Sequence, residues 1–139
     1  MEGIRTGKVS SIDYKNGMIK ILYSDKDGAV TKALPYLSMN GEYKMPKIGE
    51  HVLVLHLSNG AEAGVVLGPY WNEAVNSELT GEDIYRKEFS NTVGKAYMQH
   101  KNGELEMRAD TICFQDSSRK ITLEEIENRL TRLETKVGS

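Results

Sequence analysis

The sequence predicts a mainly β protein that closes on a single helix. Residues 4–70 break into short apolar runs separated by turn chemistry. Two further alternating runs flank Asn102-Gly103. After Thr122 the apolar spacing changes from two to alternating threes and fours, the period of a helix. With 39% hydrophobic and 27% charged residues among 139, the chain is ordinary for a globular protein and can bury a modest core.

The elements follow in order. Ile4 to Ile12 is a β-rich run, ended by the turn residues Asp13-Tyr14-Lys15-Asn16-Gly17. Met18 to Tyr23 is a second strand, and Ser24-Asp25-Lys26-Asp27-Gly28 the next turn. Ala29 to Leu34 reads as a third strand, and Pro35 to Glu50 as a longer loop. His51 to Leu57 is a fourth strand, Asn59-Gly60 a tight turn, and Glu62 to Leu67 a fifth. Five strands with one longer connection between the third and fourth match a closed barrel of the OB type over residues 1–70. Val52, Leu53, Val54, Leu55 and Leu57 are apolar on both faces of their strand. Either a neighbour packs outside the barrel wall there, or one face is core and the other lightly covered. Gly64 and Gly68 are expected to serve barrel curvature.

Residues 71–83 lack periodicity and read as a linker. Beyond them, over 84–118, short strands resume. If Tyr97–Lys101 and Glu104–Ala109 pair across Asn102-Gly103, then Ala96, Met98, Leu105, Met107 and Ala109 share one face. A two- or three-stranded sheet of this kind is marginal alone and calls for a partner, most simply copies of itself.

Residues 121–137 read as an oligomerising helix. Thr122 and Glu125 have the spacing of a capping box, and Glu124 and Glu125 suit the positive end of the helix dipole. Leu123, Leu130 and Val137 occupy heptad position a, and Ile126 and Leu133 position d. Arg129 falls at g and Glu134 at the following e, so parallel helices bring opposite charges together. Leu at a with Ile at d favours assemblies larger than dimers. Such a helix, about 22 Å long at 1.5 Å per residue, is marginal by itself. The competing reading is an amphipathic helix packed on its own domain.

Composition excludes several functions. The net charge of −2 gives no general pull toward nucleic acid or anionic lipid. Residues 1–70 hold 8 Lys/Arg against 7 Asp/Glu, and residues 71–139 hold 10 against 13. Cys113 is the sole cysteine, which rules out an intrachain disulfide; its place in a strand suggests a small buried hydrophobe. No apolar run has the length of a membrane span, and the start lacks signal-peptide character, so synthesis in a cytoplasm is expected. His51 and His56 fall on opposite faces of one strand, and His100 stands beside a turn, so no metal site is expected. Asp25 and Asp27 have the wrong continuation for a calcium loop and fit a turn. No nucleophile–base pair stands out, and neither catalysis nor a cofactor is expected.

One ordered series of residues resembles a known family. It comprises Gly7-Lys8-Val9, Asp13, Gly17-Met18-Ile19-Lys20-Ile21, Asp27-Gly28 and Leu34-Pro35-Tyr36-Leu37. It continues through Gly41-Glu42-Tyr43-Lys44-Met45-Pro46-Lys47-Ile48-Gly49-Glu50-His51-Val52-Leu53-Val54, then Asn59-Gly60 and Gly64-Val65-Val66-Leu67-Gly68. Over roughly residues 4–72 it resembles the phage baseplate assembly protein V family, the central spikes of contractile tails. Those are related to the spikes of type VI secretion and R-type bacteriocins.

The resemblance implies an OB-fold mount on the tail-tube hub, followed by a trimeric β-helix or β-prism shaft pushed toward the target envelope. It implies a homotrimer made in a bacterial cytoplasm and carried in a tail or tail-like particle. Residues 84–118 fit the shaft, with Met98, Leu105 and Met107 toward a threefold axis. Arg129-Leu130-Thr131-Arg132-Leu133-Glu134 also resembles a short motif of parallel three-stranded coiled coils. Relatives often end in a tip with a His-x-His iron site, or carry a glycosidase domain. This chain has neither motif nor room, which suggests a short spike served by a separate tip protein. Tyr70 and Trp71 follow the last barrel strand; they either contact the hub or close the barrel bottom. The competing function is an OB-fold protein that binds single-stranded nucleic acid, with Lys8, Lys15, Lys20 and Lys32 as a modest basic patch.

Overall fold

The computed structural model describes residues 3–24, 28–57, 63–71 and 80–138. The chain divides into two compact units, Met1–Ser77 and Glu78–Ser139. The described residues are mainly β, with antiparallel sheets and one C-terminal helix.

The first unit holds β1 (Gly3–Asp13), β2 (Met18–Tyr23), β3 (Ala29–Val30), β4 (Leu34–Pro35), β5 (His51–His56) and β6 (Gly64–Pro69). They form one sheet in the order β3-β2-β1-β5-β6, with β4 also paired to β2. Period-two alternation builds the core. β2 buries Ile19, Ile21 and Tyr23, and β5 buries Val52, Val54 and His56. Val9, Leu34 and Val66 complete the cluster, and the loop after β4 drops Met45 into it. Leu53 and Leu55 are half-buried, so the outer face of β5 is lightly covered. After β1, Asp13 Oδ1 accepts the Asn16 N–H at 3.2 Å and Oδ2 the Asn16 amide at 2.8 Å, which fixes the expected turn.

The expected closed barrel needs correction, because the ring of hydrogen bonds is not continuous. The third strand splits into β3 and β4 at Thr31. The Thr31 hydroxyl, instead of a backbone carbonyl, accepts the Ile21 N–H at 3.0 Å, and it donates to the Lys32 carbonyl at 2.7 Å. A side chain has taken a ladder position, and the backbone leaves the register. Pro35 then has no N–H to extend β4. The far edge reaches β6 through one parallel bridge, Tyr36 to Val66, with the Leu37 N–H donating to the Val66 carbonyl at 2.9 Å. Gly68 sits beside the irregularity in the β5–β6 register with φ +136°, where a Cβ would stand 3.1 Å from the Tyr36 hydroxyl. The Asn59-Gly60 turn, Glu62, Asp25 to Asp27 and most of the 71–83 linker lie outside the described residues.

The second unit contains β7 (Tyr85–Glu88), β8 (Tyr97–Lys101) and β9 (Glu104–Arg108), joined in that order as an antiparallel sheet. The turn between β8 and β9 is Asn102-Gly103, with φ of 54° and 77°, the left-handed pair that a tight hairpin requires. β10 (Cys113–Gln115) and β11 (Lys120–Thr122) form a separate hairpin, and α1 (Leu123–Val137) follows. The helix therefore starts two residues later than the expected 121, because Ile121 and Thr122 pair with Phe114 and Cys113. Thr122 is the N-cap: its hydroxyl accepts the Glu125 N–H at 3.1 Å and donates to the Glu125 carboxylate at 3.2 Å. Cys113 is exposed, against the expectation of burial, because no layer of described residues covers that side of the hairpin.

Candidate assembly surfaces

Pairing of β8 with β9 aligns Met98 with Met107 and His100 with Leu105, while β7 sets Tyr85 opposite His100 and Lys87 opposite Met98. One face of this sheet therefore carries Met98, Leu105 and Met107, as the alternation predicts, together with Tyr85, Lys87 and His100. It is open: Leu105 is 69% exposed, and Met107 and Tyr85 are exposed as well. Phe89, just past β7, is also exposed.

The other face is polar and packed. The Arg86 guanidinium lies 3.5 Å over the Tyr97 ring, bonds Gln99 Oε1 at 2.7 Å and pairs with Glu88 at 2.6 Å. Glu88 also accepts the Gly94 N–H at 3.1 Å, and the Tyr97 hydroxyl donates to Glu106 at 2.6 Å. Tyr97 is the only buried side chain among the described residues of this unit. The usual arrangement, apolar side packed and polar side wet, is reversed.

Along α1, the predicted seam is open too. Leu123, Leu130 and Leu133 are exposed, Val137 is 85% exposed, and Ile126 is half-buried. Arg129 and Glu134 are both exposed. No residue of α1 is buried, so among the described residues of its own unit nothing covers the apolar stripe. Beside its first turns the β10–β11 hairpin leaves a hollow of about 450 Å³, lined by Phe114, Ile121, Glu125 and Arg129 with Arg119 and Lys120. Asp116 closes the hairpin turn, accepting the Ser118 N–H at 3.0 Å and the Arg119 N–H at 2.7 Å, and pairing with the Arg119 guanidinium. Those bonds to the charged form hold its carboxyl below the ordinary value.

In the first unit, Trp71 is 67% exposed and Tyr70 is exposed as well. The histidine–tyrosine pair of this unit is structural. The Tyr23 ring crosses Gly7 of β1 to reach β5, where its hydroxyl meets His56 Nε2 at 2.6 Å. A Cβ on Gly7 would fall 2.5 Å from Ile21 Cγ2 and 2.8 Å from the Tyr23 ring. Arg5 stacks on the same ring at 3.9 Å. His56 is 3% exposed, and its Nδ1 has no well-formed hydrogen bond among the described residues. Burial lowers its pKa, the Ala63 backbone opposes this in part, and the Arg5 charge adds to the lowering. Among the described residues no group of three or more His, Cys, Asp or Glu is placed to hold a metal ion. Likewise, no described helix is long and apolar enough to cross a membrane.

The sequence reading missed Tyr85, Phe89, Phe114 and Ile121 as members of these open surfaces. Its signal for the hairpin was present in Asp116-Ser117-Ser118-Arg119, where Asp opens a turn through its side chain. No protein-family model matches the chain, and no curated protein matches it.

Proposed function

We propose that this chain is a structural subunit of a contractile-tail spike, a homotrimer that mounts by its first unit on a tail-tube hub and extends its second toward the target envelope. One observation carries the reading. The second unit buries a single side chain among its described residues while leaving an apolar sheet face and a heptad seam open. Exposed apolar area of this kind marks an interaction site. A heptad with Leu at a, Ile126 at d, and Arg129 and Glu134 at g and e selects parallel helices of its own kind. We read Met98, Leu105 and Met107 as the sheet's contribution to the same interface, with Tyr85 and Phe89 beside them.

The first unit supports an OB-type mount. β1 lies between β2 and β5, β6 follows β5, and the third-strand segment meets both β2 and, in parallel, β6. Sheath contraction supplies the work, and the spike has only to resist unfolding. Tyr70 and Trp71 are the proposed hub contact. The mass of the full chain in solution, by light scattering, tests the reading. A mass of three chains supports it; a clean monomer at tens of micromolar overturns it.

A further inference from the structure

We propose that the Phe114–Ile121 face of the β10–β11 hairpin, with the hollow beside it, seats the start of α1 from a second copy of this chain. The inference rests on the trimer reading and adds a surface outside the heptad seam. Phe114 and Ile121 are directly opposed, so both project from one face of the hairpin. Phe114 is 60% exposed there. The hollow is continuous with the seam: Arg129 lines it and holds a g position, and Leu123, the first a residue, follows β11 directly.

Charge identifies the occupant. The e positions of α1 are Glu127 and Glu134, and the g positions within it are Arg129 and Lys136. Parallel helices set each g against the e of the following heptad on the neighbour, so Arg129 meets an acid. Antiparallel helices would set acid on acid and base on base. In the parallel register the second copy's Glu127 arrives level with Thr122, beside the hollow that Lys120 lines from the other face of β11 to Ile121. A two-heptad helix is short for a stable coil, and the hairpin seat lengthens the contact at the end where the seam begins.

Sedimentation of the full chain tests this. Phe114→Ser is expected to raise the concentration for half-assembly about tenfold or more, the effect of losing one buried aromatic. Lys120→Glu and Glu127→Lys each weaken assembly a few-fold, and the two together recover most of the loss. A labelling experiment separates a seat from a folding defect. Cys113 lies on the opposite face of the same strand from Phe114 and is exposed, so it is expected to react with maleimide in the assembled protein at the rate of an open thiol. Phe114→Cys, made with Cys113→Ser, is expected to react about tenfold more slowly when assembled and at the open rate when diluted to monomer. Equal rates in both states overturn the inference. So does an unchanged assembly of Phe114→Ser when Leu130→Asp disperses the chain, and that outcome leaves the trimer standing. If the wild-type chain is monomeric throughout, the seat and the trimer fall together.

Discussion

Removing the Tyr23 hydroxyl strands the buried His56. The bond is 2.6 Å long and joins two side chains almost fully out of water. In Tyr23→Phe, His56 Nε2 joins Nδ1 as a ring nitrogen without this pairing. A buried polar group so stranded costs about 1–3 kcal/mol. Taking about 2 kcal/mol, a unit of this size melts roughly 8–16 °C lower. Calorimetry of the full chain, with His56→Leu and the double variant alongside, completes the cycle. The double variant is expected to lose much less than the sum of the singles, because neither partner is left unpaired. The pair also fixes a pH dependence. Burial puts the folded-state pKa of His56 below 6.5, so between those two values the unfolded chain binds more protons. Stability is full above about pH 6.5 and declines as the pH falls from there toward the folded-state value. Asp13 and Asp116, whose folded pKa values are lowered, lose their contribution only below the ordinary carboxylate range. The melting temperature of the wild type therefore drops between pH 7 and 5, and drops less in the double variant. Additive single effects with an unchanged pH slope would refute this reasoning.

Leu130→Asp places a carboxylate in the middle layer of the seam; light scattering is expected to show dispersal to monomers while the first unit keeps its melting temperature. Gly7→Ala forces a methyl into Ile21 and the Tyr23 ring, and is expected to cost about 1–3 kcal/mol by chemical denaturation. Single-stranded DNA in a filter assay at moderate salt should not be retained at micromolar protein, because the first unit lacks the charge excess such binding uses; salt-sensitive retention would favour the nucleic-acid reading.

Much of the secondary structure was legible because it depends on neighbours in sequence. The Met18–Tyr23 strand, the Asn102-Gly103 turn and the Thr122–Glu125 cap each rest on a few adjacent residues. The shared face of Met98, Leu105 and Met107 followed from alternation once the turn was placed. The illegible parts involve contacts made at a distance or by a side chain acting as backbone. Thr31 has good strand propensity, and nothing local announces that its hydroxyl will replace a ladder carbonyl. Ile121 and Thr122 suit a helix entrance as well as a strand, and the turn before them contains neither Gly nor Pro. Cys113 appears buried by residue type and is exposed because no layer of described residues covers that side of the hairpin. The role of His56 depends on Tyr23, thirty-three positions away, reaching across a glycine.

The polar side of the β7–β9 sheet has a kinetic meaning. Arg86, Glu88, Tyr97 and Glu106 tie the three strands together within one chain, without help from any partner. In the proposed trimer, strand pairing would then precede encounter, with subunits meeting as finished plates whose open side already has its shape. Joining such plates costs little ordering entropy compared with folding on contact. On that proposal a newly made chain would be ready to assemble at once, and its open face would be vulnerable to misassociation only until a second plate covered it.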